Sequence, residues 1–117
     1  MTDRREQQSA GDPRVERVLG LLGLARRAGR LALGATAVEK MVRFGPPPVV
    51  VVAKDAGAGQ RHRVQGLRLV RGVIDDLMTG ADLADRFGRN ELTIVAVNDP
   101  GFVRGLVEMG VVAEPRD

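Results

Sequence analysis

Val15, Val18, Leu19, Leu22 and Ala25 recur three and four residues apart, the period that lays one apolar stripe along a helix. Asp12-Pro13 precedes them as a capping residue followed by proline at the first helical position, and Gly29 stops the run. The pattern predicts a helix between these limits. Leu31-Ala32-Leu33 then reads as a short strand. A second helix is predicted from about Ala35 to Phe44, with Val38, Met41 and Val42 facing inward and Gly45-Pro46-Pro47-Pro48 ending it. Val49 to Val52 are consecutive valines, the mark of a strand buried on both faces at the centre of a helix-covered sheet.

Further along, Gln60 to Val70 reads as a third helix weakened by Gly66 in its interior, and Val73 to Met78 as a strand that crosses Asp75-Asp76. Thr79 caps a short helix through Phe87, Leu92 to Val97 forms a fourth strand, and Pro100 opens a last helix to about Met109. Alternating strands and helices predict the α/β class, a three-layer α/β/α sandwich with a four-stranded mixed sheet. Residues 12–110 form one domain in this reading, between a flexible polar tail at 1–11 and a short tail at 111–117.

Composition removes several function classes. A chain of 117 residues with 44% hydrophobic and 28% charged residues is ordinary for one globular core. Without cysteine there are no disulfides, no thiolate catalysis and no sulfur-based zinc site, and one histidine leaves little to hold a metal. The single serine, Ser9, sits in the polar tail, so a Ser/His/Asp hydrolase cannot be assembled within the fold. Val49 to Ala53 is far too short an apolar run to span a bilayer, and Met1 to Gly11 has no apolar leader core, so a cytoplasmic protein without membrane contact is expected.

The net charge of +3 conceals an uneven distribution. From Arg14 to Arg71 there are 12 Lys and Arg against 3 acidic residues, a net +9; from Gly72 to Asp117 there are 4 Arg against 9 acids, a net −5. A polyanion is captured by the local field rather than the total, so the basic half points to one.

The strongest functional signal runs from Leu19 to Gly45. The Arg-rich end of the first helix, Ala25-Arg26-Arg27-Ala28-Gly29-Arg30, leads into a helix opened by glycine, Gly34-Ala35-Thr36-Ala37-Val38-Glu39-Lys40. A helix begun on glycine leaves N–H groups and the positive dipole end free, and cations one or two turns on can reach a phosphate or a base edge. Together with Val49-Val50-Val51-Val52-Ala53-Lys54-Asp55-Ala56, Ala81-Asp82-Leu83-Ala84-Asp85-Arg86-Phe87-Gly88-Arg89 and Val95-Ala96-Val97-Asn98-Asp99-Pro100-Gly101-Phe102, this segment resembles the ribosomal protein L-seven-Ae / L-thirty-e family. It is most similar to the small bacterial members that stand alone, over about Val15 to Leu106.

The resemblance implies a binder of kink-turn RNA that needs no cofactor. In that family the second helix begins Gly-x-Asn-Glu-x-x-Lys and meets the sheared G·A pairs of the kink. Matched position by position, the glycine is Gly34, the lysine Lys40 and the closing glycine Gly45, while Thr36 and Ala37 hold the Asn and Glu positions. Thr36 keeps one hydrogen-bonding group. Ala37 cannot accept the two donors of a guanine edge, a contact worth about 1–3 kcal/mol, so base-specific recognition is expected to fall by roughly tenfold to a hundredfold. The loop Lys54-Asp55-Ala56-Gly57-Ala58-Gly59 resembles the family's Asp-containing loop beside the RNA; it has neither a Walker lysine nor the three-glycine dinucleotide pattern and reads as a turn. The loop Gly88-Arg89-Asn90-Glu91-Leu92 matches the remaining contact, here in polar form.

The expected RNA-binding residues are therefore Arg30, Gly34, Thr36, Ala37, Lys40, Arg43, Lys54, Asp55, Arg89 and Asn90. Gln60-Arg61-His62-Arg63 reads as a second phosphate-facing strip, with His62 exposed and no nucleophile to activate. Phe87 and Phe102 fall at core positions, so a stacking platform like that of sheet-face RNA binders is not expected.

The function that follows is a non-enzymatic, ribosomal-protein-like RNA binder, monomeric, with ribosomal or other kink-turn RNA as partner and ribosomal proteins as candidate neighbours. The fold is also similar to the RNA-guide domain of certain ribose methyltransferases, but a chain of this length leaves no room for their catalytic domain. The alternative is a protein-interaction module of the same fold with weak or no RNA binding.

Overall fold

A computed structural model describes residues 11–114; residues 1–10 of the tail predicted at 1–11, with Ser9, and residues 115–117 lie outside the described residues. The first helix, α1 (Pro13–Arg27), begins as its sequence dictates: the Asp12 carboxylate accepts the N–H of Arg14 at 2.9 Å, and Val15, Val18, Leu19, Leu22 and Ala25 are buried. Hydrogen bonds from the Arg14 guanidinium and backbone hold the Asp12 carboxylate below the ordinary aspartate range. Four strands follow in the chain, β1 (Leu31–Leu33), β2 (Val49–Val52), β3 (Gly72–Ile74) and β4 (Ile94–Val97), in the spatial order β1-β4-β2-β3. β4 runs antiparallel to both β1 and β2, whereas β2 and β3 are parallel, so the sheet is mixed.

Strand periodicity divides the core into two layers. Val49, Val51, Val95 and Val97 point to one face, where α1, α4 (Gly80–Phe87) and α5 (Pro100–Glu108) pack. Val50, Val52, Ile94 and Ala96 point to the other, under α2 (Ala35–Phe44) and α3 (Ala58–Gln65). The four valines of β2 are at most 2% exposed, which only a strand covered on both sides can achieve. The expected α/β/α sandwich is the architecture observed.

Three elements depart from the pattern. α3 starts earlier and ends at Gln65: Gly66 is its C-cap, and Leu69 at φ 46° cannot continue a right-handed helix. β3 stops at Ile74, because Asp75 and Asp76 must stay in water and the carbonyl of Met78 turns to accept the N–H of Lys54 at 2.8 Å. Leu92 is buried but precedes the regular ladder, which begins at Ile94. Residues 111–114, outside the domain in the pattern reading, return to the sheet: Val73 and Ala113 exchange N–H···O bonds of 2.9 and 2.8 Å along the β3 edge. Gly72 permits that approach, since a Cβ there would lie 2.8 Å from the Ala113 oxygen.

Candidate nucleic-acid interface

Topology places the glycine-opened helices together. β1 and β2 point the same way, both being antiparallel to β4, and each feeds directly into a helix on the same sheet face. The N-termini of α2 and α3 therefore open at one rim, formed by the ends of β1 and β2 and the start of β4. The N–H of Gly34 donates to the Ile94 carbonyl at 2.9 Å, and the Thr93 hydroxyl donates to the Gln60 side chain, so both helix starts are tied to the same strand end.

These two helices differ from the others in how they begin. Asp12 caps α1, Asp99 caps α5, and α4 carries a reciprocal capping box in which Thr79 and Asp82 accept each other's N–H. α2 and α3 begin at Gly34 and Gly57 with no side-chain cap and no acid in the first turn. The amides of Ala35, Thr36 and Ala37 have no acceptor among the described residues, and the same holds for Ala58, Gly59 and Gln60. Gly34 sits at φ 91°, ψ 161°, a region that essentially only glycine occupies, and a Cβ built there would meet nothing within 4 Å. The turn is open to close approach, and oriented amides with a positive dipole end are what an anion needs.

The predicted residues divide by position. Gly34, Thr36 and Ala37 lie at the rim, with Thr36 exposed and Ala37 half-buried. Lys54 and Asp55 lie there too, directly after β2, but the Asp55 side chain is engaged within the fold, where its Oδ1 accepts the N–H of Gly80 at 2.8 Å and anchors the start of α4. Arg89 and Asn90 are exposed in the loop leading to β4. Lys40 is exposed midway along α2. Arg30 and Arg43 are at the opposite end of the sheet from Gly34, Arg30 before β1, where it comes within 3.9 Å of Asp99, and Arg43 in the last turn of α2. The structure thus gathers most of the predicted set at one rim and sets these two cations apart from it.

The strip at Gln60 to Arg63 does not survive as a free cationic surface. Arg61 donates to the carbonyls of Ala53, Lys54 and Ala56 at 3.2, 2.7 and 3.4 Å and fixes the loop after β2. Arg63 makes a two-point pair with Glu39, at 2.6 and 3.3 Å, which ties α3 to α2. His62 is exposed. Several other cations are paired as well: Arg14 with Asp12, Arg71 with Glu114, and Arg86 with Glu16. Lys40, Arg43, Lys54 and Arg89 have no ion-pair partner among the described residues; the same is true of Arg17, Arg26, Arg27, Arg68 and Arg104, so unpaired positive charge extends beyond the predicted set.

Two features were not read from the sequence. The uncapped start of α3 reads there as an ordinary turn; its signal is Gly57 with no Ser, Thr, Asp or Asn in its place and no acid after it. Phe44 is 73% exposed, although it ends an amphipathic helix. A cavity of about 510 Å³ lies beside the rim, between α3, β3 and Ala113-Glu114, with Val52, Val64, Leu67 and Val70 among its walls. Among the described residues no three His, Asp or Glu converge as metal ligands, and no helix is long and apolar enough to cross a membrane.

No family model matches the chain, and no curated protein matches it. It is similar to a solved structure of a protein with unknown function from Bacillus halodurans: 29% identity and a TM-score of 0.67, covering 80% of this chain and 95% of that one. The likeness extends over nearly the whole of the other protein.

Proposed function

We propose that the protein is a non-enzymatic RNA-binding domain that sets the rim of α2 and α3 against a structured, kinked RNA of the kink-turn or ribosomal type. One observation carries this reading: of the five helices described, the two without side-chain caps open side by side, next to the unpaired cation Lys54. Two phosphates can be held by oriented amides while Lys40 and Lys54 supply the field. The class of RNA comes from the family resemblance; the helix starts support an anion of any kind.

Binding to a kink-turn hairpin tests the reading. If about five phosphates are met, the log–log slope of affinity against salt is about −3 to −5, and a slope near zero removes the electrostatic argument. Lys40→Ala should weaken binding more than Arg104→Ala, because Arg104 lies on α5, across the sheet from the rim. Equal losses would mean that the protein binds RNA diffusely.

A further inference from the structure

α2 presents one continuous stripe to solvent. Thr36, Lys40, Arg43 and Phe44 are spaced by four, seven and eight residues from the first, within one arc of the helix, and all four are exposed. The buried residues Val38 and Val42 occupy the opposite arc. Glu39, the only acid on the helix, lies one turn before Arg43 at the edge of the stripe, and its carboxylate is paired with Arg63. Lys40 and Arg43 have no acidic partner among the described residues.

Phe44 is anomalous among the three phenylalanines. Phe87 is buried and Phe102 half-buried, while Phe44 stands at the end of the stripe with the Arg43 guanidinium carbon 5.8 Å from its ring centroid. An exposed ring flanked by unpaired cations suits a base on its face and a phosphate beside it.

We propose that Phe44 is a stacking platform for an unpaired nucleobase, so that an RNA docked at the rim continues as single strand along Lys40 and Arg43 to the far end of α2. This rests on the rim binding RNA. From Thr36 to Phe44 the helix rises about 12 Å, a span covered by a few nucleotides of a strand whose stacked repeat is about 3.4 Å. Arg43, remote from the rim itself, gains a role as the last phosphate contact before the ring. A protein partner burying Phe44 together with Pro46 and Pro47 is the competing outcome. The cations on the stripe, without an acid among them, favour the nucleic acid.

The test uses the chain's lack of tryptophan and tyrosine. Phe44→Trp introduces its only indole, and the probe is a kink-turn hairpin with or without a short unpaired adenosine tail. The tailed RNA should quench the indole and bind more tightly than the tailless one. Phe44→Ala should lower affinity for the tailed RNA roughly fivefold to a hundredfold and leave the tailless RNA unchanged. Thermal unfolding of both variants should match the parent, since the ring is exposed. If the parent binds the tailless hairpin but the tail adds neither affinity nor quenching, the platform is rejected and the rim reading stands. If the parent binds neither RNA, both fail. Loss of a captured protein on Phe44→Ala in RNase-treated extract, with RNA affinity unchanged, assigns the ring to a protein and overturns the proposal.

Discussion

The two faces of the sheet are built to different standards. Under α1, α4 and α5, 18 buried residues form one core, and every helix begins with a side chain that satisfies its first amides. Under α2 and α3 only 8 buried residues form the core, and both helices begin on glycine with amides left open. Burial of a Val or Leu side chain stabilises by about 1.5–3 kcal/mol and a cap by about 1 kcal/mol, so the first face can hold the fold while the second forgoes caps. The open groups of α2 and α3 are the ones an RNA phosphate would satisfy. Stability and proposed binding are thus separated by the sheet.

The largest effect that could break this contrast is a core truncation. Leu22 is fully buried on the capped face, and Leu22→Ala should cost about 2–5 kcal/mol in urea unfolding. A comparison at constant chemistry is sharper: Val18→Ala, at 0% exposure on that face, should cost more than Val64→Ala, at 8% on the other. Equal losses would mean that the α2–α3 face carries as much of the stability.

The helices that follow simple periodicity were legible from the chain: Asp12-Pro13, Thr79 and Pro100 announced their helices, and four valines announced the central strand. Legibility failed where a local signal yields to a contact distant in sequence. Asp75-Asp76 ends β3 because the Met78 carbonyl is claimed by Lys54, and Ala113 joins the β3 edge because Gly72 leaves room. At the interface the residue types were readable, but their partners were not. Nothing around Arg61 indicates that its guanidinium binds the carbonyls of Ala53, Lys54 and Ala56, nor does Asp55 reveal that it holds Gly80. Arg30 and Arg43 are close in sequence to Gly34, but a strand on one side and a helix on the other carry both away from it.

A smaller effect tests the docking of α2. If its first turn meets guanines, Thr36→Asn with Ala37→Glu should raise affinity for a kink-turn RNA by roughly tenfold or more. The gain should vanish when the G·A pairs are replaced by Watson–Crick pairs. Equal weakening on both RNAs, as added negative charge alone would cause, means that the helix does not face the guanines.

Caps on the other face should matter for folding and not for RNA. Thr79→Ala removes the bond from the Asp82 amide at 3.1 Å and should cost about 0.5–2 kcal/mol in thermal or urea unfolding, with RNA affinity unchanged. Acid acts in the same direction at Asp12. Its folded-state pKa is depressed, so its contribution is complete above the ordinary carboxylate value and lost as pH falls through the lowered one. The protection of the first-turn amides of α1, taken relative to their intrinsic exchange rate at each pH, should fall below about pH 4.

The smallest expected change in stability is the most direct test of why the second face is left open. Gly57 precedes α3 at φ −67°, ψ 160°, an extended conformation that any residue adopts, and a Cβ there would meet nothing within 4 Å. Serine fits this position, and its hydroxyl can accept an N–H of the first turn. Gly57→Ser should therefore stabilise the protein by about a few tenths of a kcal/mol, while Gly57→Ala gains no cap. If α3 holds a phosphate, the same hydroxyl competes with it, so the stabilised variant should bind structured RNA more weakly than either the parent or Gly57→Ala. Serine carries no charge, which separates occupation of the amides from repulsion of the RNA. A stabilised Gly57→Ser protein with the parent's affinity and salt slope would show that the open amides of α3 serve no RNA contact, and would confine the proposed interface to α2 and its neighbouring loops.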